Sequence, residues 1–456
     1  MRNLLFMLEM ATLLPVAMMR PFVGVLLWGY ISFMSPHDFT YGASEHLPWA
    51  LMVAIVTAIG CVVAREPKHL PRDASTFLLI AFLIMISIST VFAMAPAAVV
   101  DPKYTIILKT FFFLIVIRAL LTDARRIHAM IWMMVIALGF FGLKGGVFAI
   151  FTGGLYHVYG PSGSMIGDNN NLAVGLLVTL PLMNYLRMRS SHRFVRAGIL
   201  IVMALTLLSV VDSYSRGALL GLFGIGCVMW WRSRSKIGTA IVLVAAIGLA
   251  IMFMPPAYLD RMGTIFHYQQ DASAEGRIEI WKAATKLALA HPLTGAGFMG
   301  PYTQWIVDTV DPSVTARSTH DIFVEVWSET GFVSFAAWLG LILVGILNSF
   351  RLIRLARGRP ELDWVRDLGR MSQVAIVAYL VGGAFLPLSY WDYFFTLLMV
   401  LAATREVVVT QATATRAAAV AQGWRRSPAI GPAIGPAIGA GIRTARGGLP
   451  DRPAMR

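Results

Sequence analysis

Apolar residues in this 456-residue chain fall in long runs separated by short polar breaks. Thr76–Ala95 and Ile237–Met254 are two such runs, and neither alternates as a half-buried strand would. A bilayer core needs about 20 apolar residues per helix. The pattern predicts helices across a membrane at 48–64, 75–95, 104–121, 128–152, 171–186, 198–214, 217–231, 237–254, 321–349, 372–387 and 391–404. Residues 1–35 are interrupted by Pro15, Arg20 and Pro21, and form either one broken crossing or two short ones. One net crossing gives twelve spans, with both termini on one side. The expected fold is an all-α polytopic membrane protein of about 12 transmembrane helices.

Composition agrees. Hydrophobic residues are 57% of the chain and charged residues 14%, with a mean hydropathy of +0.69. Soluble domains have roughly 45–50% and about 25%. The first apolar stretch leads straight into a second at Phe22–Met34, so no cleaved signal is expected. Cys61 and Cys227 lie inside apolar runs and read as small buried residues, not as a disulfide or a metal site.

Net charge is +14, and its distribution argues against nucleic acid as a partner. Lys and Arg collect in alternate loops: Arg65–Arg72, Arg118–Arg126, Arg187–Arg196, Arg232–Lys236 and Arg351–Arg370. Ser35–Leu47 and Thr152–Asp168 contain none. Positive loops stay in the cytoplasm, so Pro255–His320 is expected outside. Beyond Thr404, the PAIGPAIGPAIGAG repeat and seven arginines from Arg416 onward predict a disordered cytoplasmic tail, 405–456, able to touch anionic membrane lipids. The rest divides into an amino-terminal transmembrane region, 1–127, and a core, 128–404, that contains the outer loop 255–320.

That loop is too varied in sequence to be a linker. Arg277–Ala290 reads as a helix with Glu279, Lys282 and Lys286 on one face and Ile280, Trp281, Ala284 and Leu287 on the other. It either lies on the outer leaflet, roofs a cavity, or packs on the bundle. The loop ends at Arg317-Ser-Thr-His320-Asp321. A neutral imidazole there suits removal of a proton from a hydroxyl, although a boundary histidine is also an ordinary solvated cap. Glu325 and Glu329 share a helical face, where they either line a cavity or pair with a nearby cation.

Two more cations stand out. Arg216, in Asp212-Ser-Tyr-Ser-Arg216-Gly, sits on the side where cations should be scarce. It either pairs with Asp212 or offers a planar fork to phosphate. Lys144 falls between glycines about 12 Å inside its span, either near a ligand or snorkelling. Asp168 and Asn170, in a turn-rich stretch, suit sugar hydroxyls or a helix cap. No nucleotide or metal motif is present, so an outward site would need a substrate activated beforehand, such as a lipid diphosphate.

Ser213–Ala218, Gly276–Trp281 and His320–Gly331 resemble the superfamily of O-antigen ligases, polysaccharide polymerases and bacterial O-oligosaccharyltransferases. The resemblance spans about 130–400. Arg20–Trp28 and Ser35-Pro-His37 look like the O-glycosylation ligases associated with exosortase systems. The ligase signature is His, then Asn, Ser or Gln, nine residues, Gly, three residues, and Gly, Thr or Tyr. His320 and Gly331 fit this spacing, while Asp321 and Phe335 depart from it. The resemblance implies a GT-C-like fold in the bacterial inner membrane with its active site facing the periplasm. It implies inverting glycosyl transfer without metal or cofactor, from a glycan on undecaprenyl diphosphate to a lipid A–core hydroxyl. His320, Arg216 and Arg277 match the family's essential residues, and Arg317, Lys144, Asp168, Asn170, Glu325 and Glu329 are the expected substrate-binding set. The alternatives are a polymerase or protein O-oligosaccharyltransferase using the same donor. A lipid-glycan transporter is a third, disfavoured because the two halves show no repeat.

Overall fold

The structure is a computed structural model that describes residues 1–232, 235–238, 240–241 and 272–426. The expected span 237–254 and the stretches 255–271 and 427–456 lie wholly or mostly outside the described residues. Helices dominate, and no strand occurs among the described residues. In chain order they are α1 (Arg2–Met19), α2 (Pro21–Met34), α3 (Ala43–His46), α4 (Trp49–Val63), α5 (Ala74–Val91), α6 (Ala97–Leu120), α7 (Ala124–Thr152) and α8 (Asn169–Arg189). Then come α9 (Arg193–Val211), α10 (Arg216–Arg232), α11 (Ala272–Ala290), α12 (Gln304–Val307), α13 (Ile322–Leu355), α14 (Asp363–Gly383) and α15 (Asp392–Arg426).

Among the described residues, six helices are long and apolar enough to cross a membrane: α1, α5, α7, α9, α13 and α15. Helices α2, α4 and α10 are apolar but shorter. Many large apolar side chains point outward from these helices, including Phe77, Ile136 and Leu200. Outward apolar faces of this extent are what lipid solvates. The chain is an all-α membrane protein.

The amino-terminal stretch is two helices, not a single broken crossing. Phe6 meets Trp49 at the start of α4, Gly60 packs on Ala17 and Met18, and Gly24 packs on Thr57. Helix α1 therefore runs parallel to α4 and α2 antiparallel to it, a hairpin closed at Arg20. Pro21 at the first position of α2, which needs no amide donor there, permits the sharp reversal.

Met1–Val407 form one compact unit, continuous across residue 127, and Val408–Arg456 form another. Helix α15 continues to Arg426, past the point where composition suggests a tail, through alanine-rich sequence that favours helix. Cys61 is half-buried and Cys227 exposed, so neither is the buried residue expected; a thiol on an apolar helix is equally at ease facing lipid.

Within the first unit, polar contacts separate the two ends of the bundle. At the Lys/Arg-rich end Arg118 pairs with Asp73 (2.6 Å) and with Glu406, Arg126 with Glu66 (2.7 Å), and Arg189 with Asp367 (2.7 Å). Small residues let helices close on one another: Gly142, Gly145 and Gly146 of α7 pack on Thr206, Ser209 and Leu205 of α9. The glycines around Lys144 thus serve helix packing.

Helix α13 is interrupted. Gly331 has φ 81° and ψ 169° within an otherwise helical run. The turn after α11 fills the gap: Phe332 N donates to Pro292 O (2.9 Å), Ala296 N to Ser328 O (2.8 Å) and Gly297 N to Glu329 O (2.9 Å). Ser89 of α5 adds bonds to Thr294 O (2.5 Å) and Glu329 O (3.1 Å). Backbone groups freed by the break are therefore re-satisfied inside the protein, as a membrane requires.

Candidate functional site

Three turns at the Lys/Arg-poor end carry the candidate residues. Asp168 caps α8, its Oδ1 accepting from Asn170 N (2.8 Å) and Asn171 N (3.4 Å). Asn170 also donates its side-chain amide to Asp168 (3.0 Å), so both residues act in the cap. Asn169 Nδ2 donates to Ser213 O (2.6 Å), fastening this turn to the one between α9 and α10.

In that second turn Tyr214 has φ 56°, and its hydroxyl donates to Gly154 O. Ser215 Oγ accepts from Ala218 N (3.2 Å) and so starts α10, whose first residue is Arg216. Asp212, which follows α9, is buried, with Oδ2 unbonded among the described residues. Gly217 packs against Gly382 and Phe385 at the end of α14, and neighbouring Gly383 packs on Ile322, the first residue of α13. Arg216 and His320 therefore flank the same end of α14.

The third turn, residues 314–321, is strapped to α11. Trp281 Nε1 donates to Thr319 O (2.5 Å), and Gln304 holds Val314 O (3.0 Å) and Ala316 N (2.9 Å). Beneath them Ile280, Ala283, Val307 and Val314 form a small apolar core. Lys286 on the opposite face pairs with Asp311 (2.8 Å). The amphipathic helix starts five residues before Arg277 and packs onto α12 and α13.

His320 ends the strap with φ 45°, a left-handed conformation that histidine tolerates better than most residues but that still stores strain. Its ring is half-buried, and Nδ1 has no hydrogen-bond partner among the described residues. Burial, chiefly, and the Arg277 charge hold the imidazole below its ordinary pKa; Arg317 adds to this, while Asp168 and Glu325 oppose it. His320, Arg277, Arg317, Asp168 and Glu325 are thus one electrostatic group. Lys144 stands apart from it: exposed on α7, its ammonium lies 5.0 Å from the centre of the Phe39 ring.

Asp321 caps α13, accepting from Phe323 N (2.7 Å) and Val324 N (2.9 Å). The second signature position is therefore a helix cap, which Asp fills as well as Asn or Ser does. Gly331, the signature glycine, is the break in α13 that receives the 291–297 turn. Phe335 packs on Trp327 and Trp338 below it.

Glu325 and Glu329 are buried and share one cation. Lys103 of α6 lies 2.7 Å from Glu325 and 2.8 Å from Glu329. Tyr390 donates to Glu329 (3.1 Å), Met299 N also donates to Glu329 (3.1 Å), Tyr302 donates to Glu325 (3.4 Å), and Ser389 donates to Glu325. The Tyr302 and Tyr390 rings each present a face to Lys103 at 5.3 Å. The sequence does not single out Lys103, because it stands just before an apolar run, where a loop lysine is unremarkable. Its one signal was two glutamates a turn apart that needed a cation.

Comparison with known families adds an independent view. Residues 172–339 match the family model described as O-antigen ligase, and residues 1–191 match one described as a family of unknown function, DUF5935. No curated protein matches the chain. The first match takes in Arg216, Arg277, Arg317, His320 and the interrupted part of α13, whereas Lys103 comes from the second. Over residues 172–339 the chain is similar to the O-antigen ligase family.

Proposed function

We propose that this protein is a glycosyltransferase that moves a glycan from undecaprenyl diphosphate to a sugar hydroxyl of lipid A–core, at the periplasmic face of the bacterial inner membrane. The observation that supports this reading is the grouping of Arg277, Arg317 and Asp168 around a half-buried, neutral His320 inside the ligase-matched segment. It lies at the end of the bundle whose loops are otherwise poor in Lys and Arg, which the charge rule assigns to the outside.

In this reading the acceptor oxygen bonds to the anomeric carbon from the face opposite the diphosphate. The anomeric C–O bond breaks, its electron pair stays on the diphosphate, and configuration inverts. His320 takes the acceptor proton through Nε2, since Nδ1 is buried. Arg216 and Arg277 meet the charge that develops on the leaving diphosphate, the largest electrostatic demand of the step. Helix α11 and its strap cover the reacting centre and limit hydrolysis. Asp168 and Asn170, already engaged as a cap, are the proposed contacts to acceptor hydroxyls. Glu325 and Glu329, tied to Lys103, hold α13 under His320.

The test replaces Arg216, Arg277 and His320 singly by alanine in a ligase-null strain and examines lipopolysaccharide on gels. Loss of O-antigen attachment in all three is expected; attachment by all three would sink the reading. Mass spectrometry of the product separates lipid A–core from a protein or growing-polysaccharide acceptor. The break in α13 is the observation that favours a transporter, since discontinuous helices line transporter sites. Here the gap is closed by backbone hydrogen bonds rather than left open to an ion. Substrate movement in proteoliposomes without a new glycosidic bond would restore that alternative.

A further inference from the structure

Helices α2 and α4 are 14 and 15 residues long, or about 21 and 22 Å. The hydrocarbon core of a bilayer is about 30 Å thick. At the Lys/Arg-rich end both are level with the start of α7. Glu66, just past α4, accepts from Phe22 N at the start of α2 (3.0 Å) and from Arg126 at the start of α7 (2.7 Å). The opposite ends of α2 and α4 therefore fall short. Past α2, the Phe39 ring packs on Phe140 and Phe141, with centres 5.9 and 6.1 Å away. Helix α7 runs on to Thr152, about 17 Å beyond Phe141. The polar turn 35–47 is thus the floor of a step in the bundle, and α7 is its wall. Phe140, Leu143, Val147, Phe148 and Phe151 are exposed on α7.

Charges of both signs border this step. Lys144 is exposed on the wall, one turn below Val147, with its ammonium 5.0 Å from the centre of the Phe39 ring. No carboxylate lies within 4.0 Å of it among the described residues. On the floor, Asp38 and the exposed Glu45 are close enough to repel each other. Burial, chiefly, holds the Asp38 carboxyl above its ordinary range; Glu45 adds to this, and His37, 3.6 Å away, opposes it. An ammonium and two carboxylates at membrane depth each call for a counter-charge.

We infer that the step is a seat for one phospholipid with an ethanolamine headgroup, its phosphate on Lys144 and its ammonium between Asp38 and Glu45. A primary ammonium carries three donors to share between two carboxylates. A choline headgroup carries none, and a glycerol headgroup leaves the carboxylates without a cation. The acyl chains would lie along the exposed apolar face of α7. Because α2 and α4 are short, the phosphate can sit lower than its neighbours, as in a bilayer thinned beside a short helix. The seat is independent of the ligase reading, since Lys144 lies outside the charge group around His320.

The test uses the full-length protein in bilayers, with Cys61→Ala and Cys227→Ala, and a bimane fluorophore on Val147→Cys. A second protein carries the label on Ile88→Cys, exposed on α5, and reports ordinary lipid. Brominated phosphatidylethanolamine, phosphatidylcholine and phosphatidylglycerol are compared as quenchers at equal mole fraction. At 147 the ethanolamine lipid should be preferred about threefold over either of the others, the worth of an exposed ion pair. At 88 the three should quench alike. Lys144→Gln should abolish the preference at 147. Asp38→Asn with Glu45→Gln should turn it toward phosphatidylglycerol, and Glu45→Gln alone, at an exposed position, should do so to a smaller extent. Equal quenching by the three lipids at 147 overturns the seat. Preference for phosphatidylglycerol without those substitutions overturns the ethanolamine headgroup and leaves a simple anion contact. An ethanolamine preference that survives Lys144→Gln and Glu45→Gln overturns the assignment to these side chains.

Discussion

Lys103 Nζ lies 2.8 Å from Glu329 Oε1, although 226 positions separate the two residues in the chain. The contact joins α6 to the first half of α13, just below His320. It also joins the segment matched by a family of unknown function to the segment matched as O-antigen ligase. Neither match contains a complete ion cluster by itself. The amino-terminal helices are therefore part of the architecture that supports the site.

Replacing Lys103 by methionine leaves two buried carboxylates without their cation. Breaking a buried pair by removing one partner costs about 3–5 kcal/mol. Thermal unfolding followed by intrinsic fluorescence should show a lower midpoint for Lys103→Met. Adding Glu325→Gln and Glu329→Gln should recover part of the loss, since the stranded charges are then gone. A midpoint unchanged in Lys103→Met would mean that the cluster carries little of the fold.

Gly331 and Gly358 both have positive φ, 81° and 73°, yet their surroundings differ. A side chain at Gly358 meets open space, whereas at Gly331 it would meet the Leu293 carbonyl and Thr294 N within 2.7 Å. Alanine at 358 should cost only the backbone strain, about 1–3 kcal/mol. Alanine at 331 should cost that and also unseat the 291–297 turn. Yield and melting temperature of the two variants, compared directly, check the difference.

Asp321→Asn should leave the cap on α13 intact and keep activity close to that of the parent. Asp321→Ala removes it, at about 0.5–2 kcal/mol, and loosens the residue next to His320. Attachment of O-antigen should fall in the alanine variant and persist in the asparagine variant. The opposite order would show that the carboxylate has a chemical role beyond capping.

The lowered pKa of His320 sets the sign of two pH effects. As a base, the imidazole stays neutral below the ordinary histidine value of about 6.5, so the initial rate should hold through that pH and fall only further down. For stability, the unfolded chain takes up its proton before the folded protein does. Stability should therefore decline as pH drops below about 6.5. Arg317→Ala removes a cation pressing on the ring, so His320 should titrate at higher pH in that variant. Carbon-13 NMR of labelled histidine reads this shift directly, and a downward shift would contradict the arrangement.

Much of the bundle is legible in the order of residues. Apolar runs locate α4, α7 and α10 to within a few residues, because a helix crossing lipid must be apolar along its whole length. Helix α14 begins at Asp363, nine residues before its expected start at 372, because its first turns carry Asp363, Arg366, Asp367 and Arg370. A hydropathy pattern does not register charged turns that pair with one another and with Arg189. Residues 1–35 read ambiguously for a related reason: Pro15 and Pro21 interrupt the run without stating whether the chain bends or reverses, and packing on α4 decides that it reverses.

The candidate site divides in the same way. Arg216 is visible in the chain because a cation stands where cations should be scarce, and His320 and Arg317 because they end a polar loop, whereas Arg277 is picked out only by resemblance to a family motif. The sequence by itself determines that this is an all-α membrane protein, where its cations fall, and where a histidine ends a polar loop. Those properties depend on neighbouring residues along one helix or one loop. Only the tertiary structure decides that Phe39 brings the 35–47 turn to Lys144, that Lys103 answers Glu325 and Glu329, and that the 291–297 turn enters the break at Gly331. Each joins segments far apart in the chain, and which partner closes such a contact depends on how the helices pack.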